Sequence, residues 1–165
     1  MNDKKIIAGI DEAGRGPWAG PVVAAAVILP VIIDGLNDSK KLSRKKREIL
    51  YDLIIKYGVI GVGISSVEEI DNINILAATM LAMQRAYDNL KTNADIVLVD
   101  GNKEPKLSCK DVRAIIGGDA IEPVISAASI IAKVTRDRMM QELDKEFPQY
   151  LWKQNAGYGT KDHLS

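Results

Sequence analysis

Short apolar runs that stop abruptly on acidic residues set the pattern of this chain. Lys5 to Ile10 is one such run; it ends in Asp11 and Glu12, passes through Gly14-Arg15-Gly16-Pro17, and gives way to a second apolar run from Pro21 to Leu29. This arrangement predicts two neighbouring strands joined by a tight, specialised connection. A third strand is expected over Val59 to Ile64, where Gly58, Gly61 and Gly63 call for close backbone approach or special torsions. A fourth, Ile96 to Val99, is wholly apolar and stops at Asp100-Gly101.

Helical periodicity lies between and after these strands. Ser43 is a candidate N-cap for a helix whose first half is basic and whose apolar residues are Ile49, Leu50, Leu53 and Ile54. Ser66 followed by Glu69 fits a capping box, and Leu76, Met80, Met83, Tyr87 and Leu90 continue at helical spacing as a core stripe. A last long helix is expected from about Ser126 to Phe147. Its apolar Ile131, Val134 and Leu143 oppose a polar line of Ser129, Lys133 and Asp137 at i, i+4 steps.

Composition narrows the class. A chain of 165 residues, 47% of them apolar, can bury one sizeable core, and no repeat or low-complexity linker divides it. Few aromatics and many aliphatics suit an α/β interior. Basic and acidic residues balance at 22 each, so a nucleic-acid surface has to be local. The densest basic run, Lys40 to Arg47, reads by itself more readily as a solvated helix face than as a binding patch. A single cysteine, Cys109, excludes an internal disulfide and a thiolate metal cluster and suits a reducing compartment. With no signal segment and no membrane-length apolar stretch, a cytoplasmic monomer is the simplest expectation.

The chemistry points to the strand ends. Asp11-Glu12 and Asp100 terminate segments that otherwise read as buried, where clustered carboxylates raise one another's pKa values unless a divalent cation neutralises them. Oxygen-only ligation selects Mg²⁺ or Mn²⁺ over Zn²⁺. The alternative, aspartates that merely cap loops, stays open on pattern alone. Gly14-Arg15-Gly16 exposes backbone N–H groups to a phosphate or sugar, but lacks the spacing of a dinucleotide fingerprint or a P-loop. Ser39, Ser126, Ser129 and Cys109 have no histidine in an evident triad, so covalent catalysis is not expected of them.

Longer motifs carry a family resemblance. Gly9-Ile10-Asp11-Glu12-Ala13-Gly14-Arg15-Gly16-Pro17 resembles the opening signature of ribonuclease HII of the bacterial type. The similarity continues through Ala19 to Val27, Asp38-Ser39-Lys40-Lys41-Leu42, Val99-Asp100-Gly101, Ser126 to Arg138 and Gly157-Tyr158-Gly159-Thr160-Lys161. It keeps its order over nearly the whole chain.

The resemblance implies a ribonuclease H-like fold, a central mixed sheet flanked by helices, forming one catalytic domain over residues 1–165 without the family's further C-terminal continuation. It implies Asp11, Glu12, Asp100 and Asp119 as catalytic, metal-binding carboxylates, although Ile121-Glu122-Pro123 after Asp119 departs from the usual lysine-containing continuation. Asp137 is a further acidic position of the motif, with local pairing to Lys133 or Arg136 as its alternative role.

The implied reaction is two-metal hydrolysis of the RNA strand of RNA–DNA hybrids, and at ribonucleotides embedded in duplex DNA, leaving 3′-hydroxyl and 5′-phosphate ends. Gly14, Arg15, Gly16 and Tyr158 match the elements that recognise a ribonucleotide followed by DNA, and Lys40, Lys41 and Lys133 are expected phosphate contacts. A DNA nuclease with the same metal chemistry and a non-catalytic nucleic-acid module are the competing readings.

Overall fold

The structure, a computed structural model, describes residues 4–15, 20–36 and 41–146. Five strands form one mixed sheet in the order β3-β2-β1-β4-β5. They are β1 (Ile7–Ala13), β2 (Val22–Ile28), β3 (Val59–Ser65), β4 (Ile96–Asp100) and β5 (Asp111–Ile115). β1 to β3 pair antiparallel, while β4 lies parallel to β1, and β5 parallel to β4. The helices are α1 (Arg44–Tyr57), α2 (Val67–Ile73), α3 (Ile75–Leu90), α4 (Gly118–Ile121) and α5 (Pro123–Glu146). Among the described residues no helix is long and apolar enough to cross a membrane.

Both sheet faces are covered, so β2 shows no polar alternation. Val22, Ala24 and Ala26 join Ala82, Met83, Ala86 and Tyr87 of α3 on one side. Ala25 and Val27 join Leu50 and Ile54 of α1 and the buried Ala127, Ala128, Ile131 and Val134 of α5 on the other. Successive strand residues thus feed two cores.

Small residues let the helices lie close. A Cβ on Gly9 would run into the Val124 and Ile125 backbone of α5, coming within 2.6 Å of the Ile125 nitrogen. Gly9→Ala would therefore push helix and strand apart, at a cost of about 1–3 kcal/mol. Gly61 and Gly63 of β3 play the same part against α3.

Three expected elements differ. β1 does not stop before Asp11 and Glu12 but runs through both to Ala13, where its antiparallel pairing with β2 carries it on. The helical pattern after Ser66 is broken at Asn74, whose φ of 75° ends α2 while its side chain accepts from the Ala77 N–H and opens α3. An amide side chain tolerates the left-handed region and caps well, so the capping box at Ser66 opens one helix and the stripe from Leu76 to Leu90 belongs to the next. Leu76 is accordingly on the surface side, while Met83, Tyr87 and Leu90 are buried. α5 begins at Pro123, three residues before the expected start, because proline is preorganised for a first helical turn; Phe147, its expected end, lies outside the described residues.

Candidate metal centre

The parallel register of β1 and β4 makes the site. Ile10 pairs with Val99, so the next residues, Asp11 within β1 and Asp100 at the end of β4, come level. β4 is level with β5 at Asp100 and Ile115, and the turn through Gly117 then carries the chain back over this end to Asp119 in α4. One carboxylate oxygen from each of Asp11, Asp100 and Asp119 lies within 4.8 Å of the other two.

Backbone amides orient the cluster. The Glu12 N–H donates to Asp11 Oδ1 at 2.8 Å, and the Asp119 N–H donates to Asp100 Oδ1 at 3.2 Å. Asp11 is only 4% exposed. Burial pushes its carboxyl well above the usual value of 3.8, and Glu12 and Asp100 raise it further. Burial also raises Asp100; the Asp119 and Gly118 amides act in the opposite direction, and the Asp119 and Glu12 charges add to the rise. The charged neighbours that shift these two groups are all acidic. A cluster of hard oxygen donors whose charges repel is the donor set that suits Mg²⁺ or Mn²⁺, so the residues fit a divalent cation.

Glu12 stands beside this group rather than in it. Its carboxyl is not among the three converging oxygens, but it stays close enough to raise both Asp11 and Asp100, and it lies 3.8 Å from Arg15. Arg15 is half-exposed, so a basic side chain reaches the acidic end of the sheet. Gly14 adopts a φ of +99° immediately after β1.

The other residues named from the sequence are spread more widely. Asp137 is not brought to the aspartates; it is exposed on α5 and lines a polar cavity of about 230 Å³ with Arg44, Arg47, Glu48 and Arg138. Lys133 is exposed on α5, and Lys41 is exposed just before α1. Gly16, Lys40 and Tyr158 lie outside the described residues. Two of the side chains set aside as nucleophiles have structural partners: the Ser126 hydroxyl donates to the Leu36 carbonyl, and the Cys109 thiol to the Ala94 carbonyl. A residue that sequence reasoning passed over as functional is Arg136, which is buried beneath Gly14. Its signal was an arginine in register with Ala132 and Met140 on the buried face of a helix.

A mixed sheet with carboxylates gathered on two adjacent parallel strands and the turn beside them, flanked by helices, defines a nuclease of the ribonuclease H class. A chain of the PCNA:RNase HII complex from Archaeoglobus fulgidus has the same fold, with a TM-score of 0.79 and 29% identity over 96% of this chain and 84% of that one. The chain is 61% identical over 160 residues to ribonuclease HII of Rickettsia bellii (strain OSU 85-389), covering 96% of this chain and 81% of its relative. It is 55% identical over 163 residues to ribonuclease HII of Wolbachia pipientis subsp. Culex pipiens, covering 97% and 82%. The Ribonuclease HII family profile matches residues 8–165, and the chain belongs to that family of metal-dependent endoribonucleases, which act on the RNA strand of RNA–DNA hybrids.

Proposed function

We propose that this protein hydrolyses the RNA strand of hybrids, and cuts at ribonucleotides embedded in duplex DNA, using divalent cations held by Asp11, Asp100 and Asp119 with Glu12 beside them. The observation that carries the reading is the convergence of three carboxylate oxygens within 4.8 Å at one end of the sheet. Asp11, Asp100 and Asp119, with Glu12, would hold two divalent cations, Mg²⁺ or Mn²⁺, which when bound would supply activation of water and stabilisation of the leaving oxygen. The ends left are 3′-hydroxyl and 5′-phosphate.

The chain's own residues set the geometry. Amides of Glu12 and Asp119 hold the Asp11 and Asp100 carboxylates in one orientation each. Raised carboxyl pKa values mean that cation binding displaces protons, so affinity falls as the pH is lowered. Backbone groups of Gly14, Arg15 and Gly16, with Tyr158, sense the 2′-hydroxyl, a donor and acceptor absent from DNA. Lys40, Lys41 and Lys133 contact phosphates and place the duplex without reading its sequence.

A cleavage panel tests this reading. An RNA–DNA hybrid, a DNA duplex with one ribonucleotide, plain DNA and plain RNA are incubated with Mg²⁺ and with Mn²⁺. Cutting of the first two alone is expected. Cutting of plain DNA would make the protein a DNA nuclease, and binding without cutting would make it a non-catalytic module.

A further inference from the structure

The connection from β1 to β2 has both its ends against one side chain. Gly14, with φ +99°, and Gly20, with φ +102°, are the described residues that bound it. A Cβ on Gly14 would clash with Arg136 Nε and lie 2.9 Å from Arg136 Cδ. A Cβ on Gly20 would lie 2.8 Å from Arg136 Nη2. Next along the chain, the Pro21 carbonyl accepts a 2.9 Å hydrogen bond from Arg136 Nε. One guanidinium thus touches the chain where it leaves β1 and where it enters β2.

The position of that guanidinium is fixed from a distance. α5 is seated on β1 where Gly9 admits the backbone of Val124 and Ile125. From Ile125 to Arg136 the helix advances about 16 Å. From Gly9 to Gly14 the strand advances about 17 Å. Helix and strand run the same way, so the contact at Gly9 brings Arg136 level with Gly14. Asp11 lies between these two anchor points, on the same strand.

Arg136 is only 3% exposed. A methionine could fill comparable space without desolvating a permanent charge, so volume alone is a poor reason for an arginine here. What the guanidinium adds is a rigid, planar set of donors that can hold two chain segments at once.

We propose that Arg136 is a positioning residue for ribonucleotide recognition: by clamping Gly14, Gly20 and Pro21 it holds the backbone donors after β1 at a fixed distance from Asp11. This rests on the reading that Gly14, Arg15 and Gly16 sense the 2′-hydroxyl. In this assignment Arg136 acts through the backbone above it.

The test measures discrimination in Mg²⁺ with the full chain. KM is determined for a DNA duplex containing one ribonucleotide, and the same duplex without the ribonucleotide serves as competitive inhibitor to give Ki. The ratio Ki/KM reports how much the 2′-hydroxyl adds to binding. Wild type should give a ratio well above one. Arg136→Gln should lower it by about tenfold through a higher KM, with Ki unchanged, the size expected for losing a charge-assisted hydrogen bond that sets the backbone. Arg136→Lys, which keeps the charge but not the fork, should recover part of it. Should Arg136→Gln fail to fold, Gly20→Ala approaches the same contact from the other side and carries the same expectation. An unchanged ratio in folded variants, with wild type discriminating, overturns the role of Arg136 and leaves ribose sensing standing. A wild-type ratio of one overturns ribose sensing itself and this proposal with it.

Discussion

Glu69 and Asp11 are both carboxylates on the framework of this sheet, and their surroundings push them in opposite directions. Glu69, near the start of α2, receives two hydrogen bonds from Arg85 at 2.8 and 2.7 Å and closes a capping box with Ser66. Arg85 is the first cause holding its carboxyl down at about 2. Asp11 is buried among other acids, and burial, then Glu12 and Asp100, push it up. One region pairs its carboxylate with an arginine; in the other, the charged groups that shift buried Asp11 are acids, a set that a divalent cation would neutralise. The first arrangement stabilises a fold, and the second stores a binding site at the expense of the metal-free protein.

Removing a charge should sharpen that contrast. Asp11→Asn and Asp100→Asn should each lower single-turnover cleavage of a hybrid at least ~10³-fold, since metal assistance is worth several kcal/mol at the transition state. The metal-free variants should nonetheless melt at or above the wild-type temperature, because a like-charge repulsion is relieved. Wild-type turnover by either variant at saturating Mg²⁺ breaks the comparison from the acidic side.

Arg85→Met makes the opposite change. It leaves Glu69 without its cation and removes the 2.6 Å bond to the Ile64 carbonyl. Because the pair is partly exposed, with side chains 40% and 33% accessible, the loss should be about 1 kcal/mol, or a fall of about 2–4 °C in Tm. Cleavage measured well below Tm should be unchanged. A large loss of activity would make the Arg85 pair part of the site.

The two regions should also answer pH with opposite signs in urea unfolding of the metal-free protein. For Asp11, raised in the folded state, the stabilising contribution is complete below 3.8 and is lost as pH rises through the folded value. For Glu69 the contribution is present above its unfolded value of 4.5 and is lost as pH falls through about 2. Asp11→Asn should therefore flatten the decline on the higher side, and Glu69→Gln should cause a small loss confined to pH above that acidic window. The same sign in both variants would end the distinction.

Legibility differed between these regions for physical reasons. Asp11 and Asp100 stand out in the sequence because a buried apolar run is not easily followed by a charge, and the structure brings the two residues level, although β1 continues past Asp11 to Ala13. Asp119 lies on a short turn with no periodic signal and entered only through family resemblance. Four strands were readable as apolar runs, but β5 was not: Asp111 and Arg113 pair with each other on its exposed edge and break the pattern. The helix break at Asn74 was hidden because Ile70 and Ile73 before it keep helical spacing with Leu76 and Met80 after it. Arg136 was passed over since an arginine in a helix is ordinarily a surface residue, and only the close seat of α5 at Gly9 turns it inward.

The central claim, that Asp11 of β1 and Asp100 at the end of β4 hold the cation with Asp119, is tested most directly by Mn²⁺ binding followed by electron paramagnetic resonance at neutral pH. Wild type should bind Mn²⁺. Asp11→Asn, Asp100→Asn and Asp119→Asn should each weaken binding about tenfold or more, as expected when a charged oxygen ligand becomes a neutral one. Glu69→Gln, an equal change of charge elsewhere, should bind as wild type does. Wild-type affinity in all three aspartate variants, or a loss in Glu69→Gln as large as theirs, would contradict the account.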